Sequence, residues 1–174
     1  MSAKTQVKPK ADAAKSLEDL FEDSLKDALW AETAVKDALP KMIKNASSAE
    51  LKAALENHLE ETKGHIDQVK SVFKLIGSKA EKEKCDAMAG ILEEGEGIIK
   101  ETQPGPVRDA GIIAACQKVE HYEIASYGTM VAFATQLKQK DAKKVLSGIL
   151  GEEKNADKLL SKIATSLVNE KADK

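Results

Sequence analysis

Aromatic residues are nearly missing from this chain of 174 residues: three Phe, two Tyr and one Trp make up 3% of it. A core with so few rings must be filled by Leu, Ile, Val and Ala, and at 42% hydrophobic residues there are enough of them for one sizeable domain. That supply favours helices over sheets. Net charge is scarce too. The 27 Lys and Arg face 29 Asp and Glu, a formal balance of -2, which argues against nucleic acid as a partner of the folded body. There are only two cysteines, Cys85 and Cys116, without CxxC spacing and with no others to form a disulfide framework. Reduced thiols and a cytoplasmic location fit that pattern.

A long hydrophobic run is absent as well. The opening stretch MSAKTQVKPKADAAK carries four lysines against one aspartate and has no hydrophobic segment behind it. It is expected to be neither a signal peptide nor a membrane anchor. Residues 1–15 read as a disordered basic tail, with weak attraction to DNA or a membrane surface as the alternative.

What the chain does have is well-punctuated helical pattern. Ser16, with Asp19 three residues on, predicts a helix from Leu17, and Pro40 predicts its end near Leu39. Ser47 with Glu50 opens a second, running to Ile76 with Gly77 as a left-handed stop. A short third helix over Cys85 to Lys100 is weakened by Gly90, Gly95 and Gly97. Pro106 starts a fourth that reaches about Gln139, and a fifth follows Asp141 to about Asn169. Short links force neighbours to lie antiparallel, whereas the long link between Gly77 and Pro106 can carry the chain from end to end. The expected fold is therefore all-α: a ferritin-like four-helix bundle over residues 16–170, with a short extra helix in the long crossover.

The segment HLEETKGHID, His58 to Asp67, breaks the expected apolar stripe of the second helix. Leu51, Leu55, Val69, Phe73 and Ile76 mark that stripe, and its continuation passes over His58, Glu61, Thr62 and His65. The same intrusion recurs elsewhere. Glu32 falls between Ala28 and Val35 on the first helix, Glu120 and Glu123 within the stripe of the fourth, and Glu153 and Asp157 within that of the fifth. Residues at equal height on antiparallel helices are equally far from the connecting turn. Glu32 and Glu61 satisfy this about the first link, and Glu123 and Glu153 about the second. Converging carboxylates in a dry core need a cation between them. The candidate metal ligands are Glu32, Glu61, His65, Glu120, Glu123, Glu153 and Asp157.

The stretches HLEETKGHID, KCDAMAGILEEG, VRDAGIIAACQKVEHYEIASYGT and LGEEKNADKLL closely resemble the YciF-like stress proteins, a ferritin-like family, and the resemblance runs from about Leu17 to Val168. It implies a homodimer, a binuclear iron site and a link to bacterial stress responses. Di-iron carboxylate bundles supply a Glu from each of two helices and Glu-x-x-His from each of the other two. This sequence departs from that pattern, because Gly64 and Ala156 stand three residues after Glu61 and Glu153. His65 and Asp157, one place later, can substitute, and His58 rivals His65. A site so rich in oxygen donors suits iron or manganese rather than structural zinc. The reading that follows is a binuclear centre reacting with oxygen or peroxide. Its alternative is a dimeric, non-catalytic helical stress protein whose metal site is empty or structural. Among neighbouring residues, Tyr127 is read as a core tyrosine within reach of a ligand, His121 as a residue beside the site or on the surface, and Asp109 as a routine partner of the fourth helix's dipole.

Overall fold

The computed structural model describes residues 7–11 and 13–174. The helices are α1 (Leu17–Asn45), α2 (Ala49–Leu75), α3 (Asp86–Glu101), α4 (Pro106–Gln136) and α5 (Lys140–Ile163). A π-helical turn, Ala164–Val168, joins α5 to the short α6, Asn169–Ala172. Ser16 and Asp19 form the expected capping box: the hydroxyl accepts from Asp19 N at 3.0 Å and the carboxylate accepts from Ser16 N at 3.1 Å. Of the basic tail, residues 1–6 and 12 lie outside the described set, and 7–11 and 13–15 are not helical.

The helix starts and stops follow the sequence closely except at the first link. α1 runs through Pro40 to Asn45 instead of stopping at Leu39. An interior proline removes one helical hydrogen bond and costs about 3 kcal/mol, but the added turn buries Met42 and delivers Ala46 to the core beside Leu51 and Leu55. Burial at the bundle's end outweighs the local penalty. The cap of α2 is consequently Ser48, whose hydroxyl accepts from Leu51 N at 3.3 Å. Ser47, the expected cap, faces α4 instead. Asp109 is only 2% exposed and accepts from Ser47 N at 2.7 Å, Ser47 Oγ at 2.6 Å and Ser48 N at 2.8 Å. Its role is to anchor the first link, beyond the routine dipole partnership expected of it.

The four long helices close a ring in which α1 packs on α2, α2 on α5, α5 on α4 and α4 on α1, while α3 lies outside against α4 and α1. α3 approaches α4 so closely that a Cβ on Gly111 would stand 2.6 Å from Ile98 Cγ2. The aliphatic core falls into two clusters. One gathers Val35, Leu39, Leu51, Leu55, Ile112 and Leu160 with others; the second gathers Phe21, Leu25, Val69, Phe73, Met130 and Leu146. Along α1, α2 and α5 the residues that interrupt these clusters are Glu32, His58, Thr62, His65 and Glu153, all at most 5% exposed. The polar layer is thus a cross-section of the bundle with apolar packing on both sides.

Candidate metal centre

Each long helix contributes donors to this layer because its core stripe carries them there: Glu32 from α1, His58 and His65 from α2, Glu120 and Glu123 from α4, Glu153 from α5. Ligand atoms of His58, Glu120, Glu123 and Glu153 lie within 4.8 Å of one another, as do those of Glu32, His65 and Glu153. The two groups meet at Glu153, which belongs to both. Four carboxylates and two imidazoles make the donor set that di-iron bundles use. Here both histidines come from α2 and two glutamates from α4.

Buried polar atoms in folded proteins nearly always find hydrogen-bond partners. Among the described residues nine do not: Glu32 Oε2, both ring nitrogens of His58, His65 Nδ1, Glu120 Oε2, and both oxygens of Glu123 and of Glu153. All nine sit on the six converging residues. His58 Nε2 is 3.3 Å from Glu120 Oε1, and His65 Nδ1 is 2.9 Å from Glu153 Oε1 and 3.5 Å from Glu32 Oε1, close enough to attract but misaligned for hydrogen bonding. Misaligned contacts around a common space suit a cation that each atom can face.

The surroundings hold the donors in place. His65 Nε2 pairs with Glu152 Oε2 at 2.7 Å, which directs Nδ1 at the interior. The Tyr127 hydroxyl donates to Glu32 Oε1 at 2.5 Å, and the Thr62 hydroxyl, also buried, donates to His58 O at 2.8 Å. Electrostatics without a metal are those of a crowded dry site. Burial, then repulsion from Glu153, pushes the Glu120 carboxyl up to about 10. Glu123 is driven well above the carboxylate range by the same two causes, and Glu32 is raised by burial against the pull of His65. For His65, burial opposes the charged form, but Glu153 and Glu32 together win and raise it to about 11. The carboxylates around His65 thus favour its imidazolium form.

The candidate ligands therefore divide. Glu32, His65, Glu120, Glu123 and Glu153 are brought together, and His58 joins them. Glu61 and Asp157 stand outside both groups. Glu61 keeps 35% of its side chain exposed, with Oε2 3.8 Å from His58 Nδ1, and its carboxyl is lowered chiefly by the His58 contact. Asp157, 21% exposed, accepts from Gln117 Nε2 at 2.9 Å and lies 3.4 Å from His121 Nε2. Both stand near the height of the layer but are turned towards its solvent edge. At about 100° per residue, Glu61 falls on the flank of a stripe centred on His58, Thr62 and His65. Glu152 had no signal of its own in the sequence, being adjacent to Glu153 and, at 44% exposed, on the solvent side of the stripe.

A ring of four long helices with a crossover helix and a central carboxylate and histidine layer defines a ferritin-like bundle. The chain belongs to the family described as "Domain of unknown function (DUF892)", which it matches over residues 16–173. It is 43% identical over 160 residues to Protein YciF of Escherichia coli, covering 91% of this chain and 96% of that one. The crystal structure of that stress protein superposes with a TM-score of 0.87, covering 91% of this chain and all of the other. YcfI of Rhodopseudomonas palustris matches at 38% identity and a TM-score of 0.84, over 87% of this chain and 97% of that one. A ferritin-like, diiron-carboxylate protein of Bacillus anthracis, 15% identical, shares the fold at a TM-score of 0.65, over 87% of this chain and 99% of its own.

Proposed function

We propose that this protein is a cytoplasmic stress-response protein that binds two divalent cations, iron in the first place and manganese as the substitute, and reacts with oxygen or peroxide. The observation that carries the reading is the set of nine unpartnered buried atoms on Glu32, His58, His65, Glu120, Glu123 and Glu153. Glu153 would be shared between the two ions, with His58, Glu120 and Glu123 on one side and Glu32 and His65 on the other. Iron held by these residues would supply the electrons for reduction of oxygen or peroxide. The chain's own part is to fix the donors through Tyr127 and Glu152, to exclude bulk water with the apolar clusters at either end, and to give up the proton of His65 as the metal arrives. A binuclear site within a homodimer is what the family resemblance implies, and an isologous pair in light scattering is the expected state.

One observation favours the alternative of a non-catalytic protein. His65 faces Glu152, Glu153 and Glu32, the last two of which raise its pKa against the effect of burial, so its imidazolium form would partly neutralise the core by itself. Anaerobic loading with ferrous iron, metal analysis and a spectrum after peroxide addition separate the two. Two irons per chain and a new near-ultraviolet absorption are expected. Metal-free protein after loading would leave the non-catalytic reading standing.

A further inference from the structure

The six donors are at most 5% exposed, so a hydrated ion needs a route to them. Among the described residues, a cavity on either side of the layer reaches it at His58 and Glu120. The first lies beneath α3 and is walled by Leu39, Met42, Ile91 and Cys116; a water-sized sphere's centre has only ≈ 20 Å³ in it. Apolar walls offer a hydrated ion nothing to replace the waters it would lose there. The second lies between α2 and α5, has ≈ 170 Å³, and carries Asn57, Glu61 and Asn155 on its lining. Beyond His58 and Glu120, which both cavities share, the second adds the polar side chains Asn57, Glu61 and Asn155, whereas the first adds apolar walls.

We propose that Asn57, Glu61 and Asn155 form the mouth through which a divalent cation enters, with Glu61 as the carboxylate that takes it from solvent and passes it to His58. This rests on the metal-binding reading above and extends it from the resident ligands to the path. Glu61 is suited to the task by being half in and half out. Its side chain is 35% exposed, and it stands 3.8 Å from His58 Nδ1, a buried nitrogen with no hydrogen-bond partner. Behind that ring, Glu120 Oε2 is equally unpartnered. A cation held at Glu61 can thus exchange its waters one at a time for the donors behind it. A group outside both converging sets adds to the rate of filling and not to the final occupancy.

Cobaltous ion is a suitable probe, because its visible absorption reports uptake without oxidation. Under anaerobic stopped-flow mixing of the full chain, Glu61→Gln should fill roughly tenfold more slowly than wild type and reach the same number of ions per chain. Glu60→Gln is the control: Glu60 is 70% exposed, pairs with Lys63, and lies off the mouth. It should fill at the wild-type rate. Equal rates in wild type and Glu61→Gln would overturn the portal, and so would a lower final occupancy in Glu61→Gln, which would make Glu61 a resident ligand. If wild type takes up no cobalt, ferrous or manganous ion at all, the metal-binding reading itself fails and the portal with it.

Discussion

The hydroxyl of Tyr127 donates to Glu32 Oε1 at 2.5 Å, with both residues 1% exposed and 95 positions apart in sequence. This bond secures one oxygen of a buried carboxylate and leaves Oε2 as the atom without a partner. Tyr127→Phe keeps the ring and removes only that donor. An unsatisfied buried acceptor costs about 1–3 kcal/mol, so the metal-free variant should lose stability in that range by chemical denaturation. The loss should shrink when metal is present, since a cation on Glu32 replaces the hydroxyl's work. An undiminished midpoint in the metal-free variant would show the bond to be energetically idle.

The titration of the layer sets a pH dependence of definite sign. In the folded protein Glu120 holds its proton up to about 10 and His65 holds its own up to about 11. The unfolded chain releases these protons near the ordinary values of 4.5 and 6.5. Between those limits the native state binds more protons than the unfolded one, so stability falls as pH rises, by up to about 1.4 kcal/mol per pH unit for each such proton. Metal reverses the trend, because it binds the deprotonated donors. Urea unfolding at pH 6 and pH 8.5 should show the metal-free protein weaker at the higher pH, and stabilisation by manganous ion larger there. A metal-free curve that is flat, or that rises with pH, contradicts the burial of these groups.

Glu152 acts on His65 from the solvent side. Its carboxylate pairs with Nε2 at 2.7 Å and so points Nδ1 at Glu153 and Glu32. Outer partners of this kind are worth 10–100-fold in metal affinity. Glu152→Gln should weaken metal binding by about that factor in competition with a coloured chelator while leaving the thermal midpoint close to wild type, as its side chain is 44% exposed. Unchanged affinity would show that packing alone orients the ring.

Asp109 should separate stability from metal binding. Its three short bonds to Ser47 and Ser48 fix the link on which α1 and α2 turn. Asp109→Ala leaves two part-buried backbone donors without their acceptor and should cost about 1–3 kcal/mol, read as a lowered thermal midpoint. Metal stoichiometry measured well below that midpoint should be unchanged. A variant as stable as wild type would mean that water replaces the carboxylate.

Much of the bundle was legible because its signals are local. The Ser16 and Asp19 box, Gly77 at φ 76 and Pro106 at the start of α4 act on their own backbone, and the structure keeps all three. Helix periodicity likewise placed Glu32, His65, Glu120, Glu123 and Glu153 on core faces, but it placed Glu61 and Asp157 there too, and these stand at the rim. Pro40 was misleading for the opposite reason. Its penalty is local, whereas the burial of Met42 and Ala46 that outweighs it depends on α2 and on the rest of the cluster.

The sequence by itself determined that polar donors from four helices share one level, since distance from a turn sets height along an antiparallel pair. It did not determine which neighbours on α2 point inward. His58, Glu61 and His65 lie close together on the helical wheel, and only the packing of Leu51, Leu55, Val69 and Phe73 into the bundle fixes the rotation that buries the two histidines and leaves Glu61 at the rim. The bonds from Glu152 to His65 and from Tyr127 to Glu32 are likewise products of tertiary structure. Each joins helices whose relative rotation is set by side chains far from either partner, and a periodicity read along one helix carries no record of that angle.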